Sequence, residues 1–138
     1  MSKEVIFDFD IERIEKDKLT DVMLQASSIN PENYLKLADI LRNSPQLENI
    51  YIHMFGGNDK FWNNFFKTFM PTNGDFTIDP QKIELEGDVQ DFNCEIYKYI
   101  ERLNLGNKNV SQIDEIEEKF PNLKNIQMQK PVISPEKI

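Results

Sequence analysis

Two nonamers in the chain match each other. Ser44-Pro-Gln-Leu-Glu-Asn-Ile-Tyr-Ile52 and Phe120-Pro-Asn-Leu-Lys-Asn-Ile-Gln-Met128 share the pattern x-P-x-L-x-N-I-x-(I/M). Repetition of this kind restricts the chain to architectures built from a repeated unit. The apolar frame inside the nonamer, L-x-x-L-x-L, recurs at Leu19-Thr-Asp-Val22-Met-Leu24 and Ile100-Glu-Arg-Leu103-Asn-Leu105, with a weaker copy at Pro80-Gln-Lys-Ile83-Glu-Leu85. The central apolar positions are Val22, Ile50, Ile83, Leu103 and Ile126, spaced by 28, 33, 20 and 23 residues. These spacings suit one strand and one helix per unit. Side chains alternate along a strand, so the last two apolar residues of each frame point inward together and the residue between them points outward.

Between the strands the period changes. Asn30-Pro31 is a helix start, with Asn as N-cap and Pro at the first helical position. Tyr34, Leu37, Ala38 and Leu41 follow at helical spacing, and Pro45 stops the run. Ser111 can cap a second helix with Ile113, Ile116 and Phe120 inward. Asp59 opens a third, carrying Phe61, Trp62, Phe65, Phe66 and Phe69, and Phe92, Ile96 and Ile100 suggest a fourth. Residues 71–79 form an irregular loop that lengthens their unit. At the N-terminus Val5, Phe7, Phe9 and Ile11 alternate with Ile6, Asp8, Asp10 and Glu12, which predicts a capping strand.

LTDVMLQASSI, LENIYIHM and IERLNLGNKNV…FPNLKNIQM give the chain a pattern that resembles a leucine-rich repeat protein over residues 19–130. The resemblance implies an α/β solenoid with a short parallel sheet of about five strands and helices on the convex side. Residues 1–18 would form an N-terminal cap and 131–138 a tail of the single domain 1–138. Ser27, Phe55 and Lys108 stand where that family places a ladder asparagine. This implies a broken ladder and irregular curvature but the same number of strands.

Charge narrows the function. The 138 residues hold 16 Lys plus Arg against 24 Asp plus Glu, a net charge of -8. That disfavours nucleic acid, whose phosphates need clustered cations, and an anionic membrane surface. A basic partner protein fits the sign. One cysteine, Cys94, excludes an internal disulfide, and one histidine, His53, argues against a zinc site. No run approaches the roughly 18 apolar residues of a membrane span, and the start MSKEVIFDFD lacks a signal core. These features predict a cytoplasmic protein with no cofactor.

The sharpest enzymatic pattern is VIFDFDIE at residues 5–12, which resembles the first motif of haloacid-dehalogenase-type phosphatases. The resemblance would make Asp8 the nucleophile and Asp10 the acid/base. Gly87-Asp-Val-Gln-Asp91 mimics the family's magnesium-binding acidic motif. Ile11 and Glu12 depart from the pattern, no strand ends in the expected Ser or Thr, and Asp8 and Asp10 fall on the outward face of the strand pattern. His53 has no motif placing a nucleophile beside it. Cys94 reads as a buried hydrophobe inside a helix, and Gly56-Gly57-Asn58 as a turn rather than a phosphate loop.

The outward strand positions form a more coherent set. Stacked strands put Met23 and Gln25, Tyr51 and His53, Glu84 and Glu86, Asn104, and Gln127 and Gln129 on one concave face. An aromatic among carboxylates and amides suits protein contact. The sequence therefore predicts a non-enzymatic binding module for a basic partner, such as an inhibitor or immunity protein. Its contacts would be Met23, Tyr51, His53, Glu84, Glu86, Asn104 and Gln127, with no catalytic or metal-binding residue. The alternatives are the Asp8/Asp10 hydrolase and a structural fragment of a larger repeat protein.

Overall fold

In four of its strands apolar and more polar residues alternate, so each of these strands has one face to bury and one to hydrate. The computed structural model describes residues 4–70, 76, 78–106 and 113–128, without the side chains of 113, 114 and 128. Its strands are β1 (Glu4–Ile6), β2 (Asp21–Leu24), β3 (Asn49–Met54), β4 (Ile83–Gly87), β5 (Arg102–Gly106) and β6 (Asn125–Met128). They form one six-stranded sheet in the order of the chain, and every neighbouring pair is parallel. Among the described residues three α-helices lie in the crossovers: α1 (Tyr34–Arg42), α2 (Asp59–Phe65) and α3 (Ile113–Lys119). Among the described residues, part of the connecting chain forms short 3-10 turns.

The inward row Ile6, Leu24, Ile52, Leu85, Leu103 and Ile126 runs across all six strands in register. Beside it lies a second row, Val22, Ile50 and Ile83. Both rows join Tyr34, Leu37, Leu41, Trp62, Phe65, Phe66, Ile116 and Phe120 in one continuous core. Trp62 packs edge-on against Phe65 and donates its Nε1–H to the Gly56 carbonyl at 2.8 Å, so the largest core residue leaves no polar atom unsatisfied.

The matching nonamers make matching structure. In each, the residue before proline accepts a turn bond from the leucine amide: Leu47 to Ser44 at 3.2 Å, Leu123 to Phe120 at 3.1 Å. The next two amides then converge on one carbonyl of the preceding unit. Glu48 and Asn49 donate to Thr20, and Lys124 and Asn125 to Glu101, at 2.8–3.2 Å. This junction registers a new strand on the old one.

Several elements differ from expectation. The sheet has six strands rather than about five, because β1 pairs with β2 as a full parallel member. That strand ends at Ile6, its inward residue; Val5 and Phe9 are exposed. The Asp10 carboxylate accepts the Phe7 amide at 2.9 Å and draws residues 8–13 into a 3-10 turn, which buries Ile11. The predicted fourth helix is only a 3-10 turn, Glu95–Tyr99, because the crossover from Gly87 to Arg102 is short. Phe92, Ile96 and Ile100 are nonetheless buried. Cys94 is therefore buried before that turn rather than inside a helix. The cap of α2 is Asn58, one residue before Asp59, and its Oδ1 accepts the Phe61 amide at 2.8 Å. Asn30 precedes Pro31 as expected but caps nothing with its side chain.

The frame also slips at β5. Leu103 pairs with Leu85, not with Ile83. A slip of two residues keeps every side chain on its face, so the inward set survives. Ile126 is half-buried rather than buried, because β6 is the sheet's outer member. The position of Ser27 is exposed, as is Phe55, and neither forms a ladder; Lys108, Ser111, Gln129 and residues 71–75 lie outside the described residues, as does the Met128 side chain. Successive crossovers are tied instead by Asp and Asn side chains. Asp59 Oδ1 accepts the Asn93 amide at 3.0 Å, and Asn63 Oδ1 the Glu95 amide at 2.9 Å.

Candidate functional site

Parallel sheets are usually covered on both faces, and their strands then read as continuous apolar runs. Here the strands alternate, and the buried helix residues named above all join the core on one face. The opposite face carries two rows. One is Val5, Met23, Tyr51, Glu84, Arg102 and Asn125; the other is His53, Glu86, Asn104 and Gln127. The seven residues that the sequence singled out as contacts all fall in these rows. Gln25 lies just past the end of β2 and donates its amide to Ile6 at 2.9 Å.

Arg102 was not anticipated. The slip at β5 puts it, rather than Asn104, beside Glu84. Its polar character between the apolar Ile100 and Leu103 was visible, but its row depends on pairing, which periodicity alone does not fix. The guanidinium lies 3.9 Å from Glu84 and donates to the Lys82 carbonyl at 2.9 Å. His53 Nε2 lies 2.6 Å from Glu86 Oε2. Glu84 and Glu86 are only 3% and 6% exposed, although both point away from the apolar core. They occupy a central strand, flanked by Tyr51 and Arg102 in one row and by His53 and Asn104 in the other. Burial, and next the Glu84 charge, push the Tyr51 hydroxyl above its ordinary pKa.

The two acidic motifs are not brought together. Asp8 sits in the turn after β1, not on the strand face, and its carboxylate accepts the Asn30 amide at 3.0 Å, Asn33 Nδ2 at 2.9 Å and Asn30 Nδ2 at 3.2 Å. The Asn30 backbone bond, with the amide bonds behind it, holds that carboxyl below its usual range. Asp88 follows β4, three strand spacings away, roughly 14 Å. Among the described residues no group of three or more His, Cys, Asp or Glu is placed to hold a metal ion. Burial pushes the Cys94 thiol up to about 12, so it is not a thiolate at neutral pH.

Among the described residues the strand order never reverses, so the sheet they form lacks the switch-point crevice where open α/β sheets bind nucleotides. It does have a cleft of about 450 Å³ beside the ends of β3, β4 and β5. His53, Phe55, Glu86, Gly87, Asp88 and Asn104 line it, with Leu105 and Gly106. Phe55, 60% exposed, meets the His53 ring edge-on at 4.7 Å. The sequence flagged it only as a missing ladder residue, yet it continues the outward alternation of Tyr51 and His53. Together these features define an α/β protein with an open, sequentially ordered parallel sheet and one polar face. No family model, curated protein or solved structure matches the chain.

Proposed function

We propose that this chain is a non-enzymatic, leucine-rich-repeat-like solenoid that binds a basic partner protein through the open face of its sheet, as an inhibitor or immunity protein does. The observation that carries this reading is the polar, aromatic-bearing face of an all-parallel sheet, where helices would be expected. Sequential strand order and the repeated nonamer junction support the solenoid description. The net charge of -8, with Glu84 and Glu86 on this face, supports a basic partner. Among the described residues no helix is long and apolar enough to cross a membrane. A single, buried cysteine suits a reducing compartment such as the cytoplasm.

The test is to recover a partner with the wild-type chain and measure its binding kinetics against variants. Tyr51→Ala should chiefly raise the dissociation rate, since a central aromatic acts through close packing. Glu84→Gln with Glu86→Gln should slow association, and added salt should slow it in the wild type. If these variants bind normally while Lys36→Ala or Glu117→Ala on the helix side weakens binding, the face is misassigned. Magnesium-dependent turnover of a phosphate ester that disappears in Asp8→Asn would overturn the class.

A further inference from the structure

Single apolar side chains scattered over a surface need no explanation. Phe9 is not of that kind. It is 64% exposed and takes no part in the core, yet its ring is stacked on that of Phe7, with centroids 5.3 Å apart and planes within 7°. The Arg13 guanidinium lies 5.8 Å from the same ring. The turn that presents it, Asp8–Arg13, is tied down at several points. The Asp10 carboxylate accepts the Phe7 amide, the Asp8 amide donates to Ser28 Oγ at 3.2 Å, and the Asp8 carboxylate takes up Asn30 and Asn33. Ile11 is buried, and Glu12 meets Lys36 at 3.2 Å. Phe7 is still extended, with φ of -102° and ψ of 169°, so alternation puts it on the same face as Val5, the outermost residue of the open face. The aromatic pair therefore stands at the corner of that face.

A ring already held in place loses little freedom on docking, and aromatic and Arg side chains dominate the residues on which interface affinity depends. Around the ring the turn carries Asp8, Asp10 and Glu12 against Arg13. We infer that Phe9 is an anchor of the protein interface, seated in an apolar pocket of the partner whose rim is basic. The inference rests on the protein-binding reading and adds a second anchor, beyond the end of β1, to the one at Tyr51. The acidic turn sets the sign of the rim. The ring supplies the affinity, because an exposed pair such as Glu12 with Lys36 contributes little.

The experiment has a partner-free arm and a binding arm. In ¹⁵N relaxation of the free chain, the amides of Phe7 to Arg13 should be as ordered as those of β2, with order parameters near about 0.85. Values below about 0.6 would overturn a pre-formed anchor. For the binding arm, the protein recovered with the wild-type chain is purified and its affinity measured by calorimetry at fixed salt. Phe9→Ala should weaken binding about thirtyfold and leave the urea midpoint unchanged. Leu35→Ala, which removes a side chain 68% exposed on α1, is the control for general stickiness and should leave the affinity within about twofold. Unchanged affinity in Phe9→Ala, or an equal loss in Leu35→Ala, would overturn the inference. If Phe9→Ala lowers the midpoint, Phe9→Leu decides, with an expected loss of about tenfold in a folded chain. A partner that needs Tyr51 and ignores Phe9 removes this anchor and leaves the open face standing. One that needs Phe9 and ignores Tyr51, Glu84 and Glu86 keeps the anchor and overturns the open face. A wild-type chain that retains no protein overturns both.

Discussion

Gly87 is the residue whose identity the backbone dictates most directly. Its φ of 89° lies where side-chain-bearing residues are strained, and its added Cβ would press on backbone rather than on a movable side chain. Gly87→Ala should therefore cost about 1–3 kcal/mol, read from urea unfolding. The same change at Gly106, where an added Cβ meets nothing within 4 Å, should cost less. Asp8 makes a different kind of prediction. Its carboxyl is held below the ordinary range, so its contribution is fully present above the unfolded-state pKa and fades as pH falls through the lower folded-state pKa. Asp8→Ala should lower Tm at pH 7, and the gap to wild type should close on acidification to pH 2. A gap that stays constant with pH would mean that the carboxylate bonds to Asn30 and Asn33 contribute nothing.

The strand is the element on which the fold depends, and position in the sheet sets what each is worth. Leu103 lies in β5 between two partners and is fully buried, whereas Ile126 in β6 has one partner and is half-buried. Leu103→Ala should cost about 2–5 kcal/mol, and Ile126→Ala clearly less, measured by the same unfolding titration. What was legible in the sequence follows the same physics. Period 2 fixes which face a residue occupies, so the inward residues of β2 to β5 and all seven proposed contacts could be assigned to faces without a structure. Period does not fix pairing, so the β5 slip and the placement of Arg102 beside Glu84 could not be read. Apolar spacing likewise could not tell the 3-10 turn at Glu95–Tyr99 from a helix, because Phe92, Ile96 and Ile100 are buried either way. The N-terminal strand was misjudged because a side chain, Asp10, captures the Phe7 amide, and alternation alone gives no sign of that.

At the scale of the molecule, each strand pairs only with its neighbours in the chain, so protection should grade from the edges inward. Native-state hydrogen exchange should find the amides of β3 and β4 the slowest and those of β1 and β6 the fastest. Uniform protection across the sheet would show that it opens only as a whole. The same order governs how the molecule would bear a load. β1 and β6 lie at opposite edges, five strand spacings or roughly 24 Å apart, so a pull between them runs across the strands rather than along them. Tension would meet one ladder of hydrogen bonds at a time and peel the sheet strand by strand, instead of shearing many bonds at once. A chain held this way should yield at low force in several steps, each releasing the length of one crossover, with the long Phe55–Lys82 segment giving the largest.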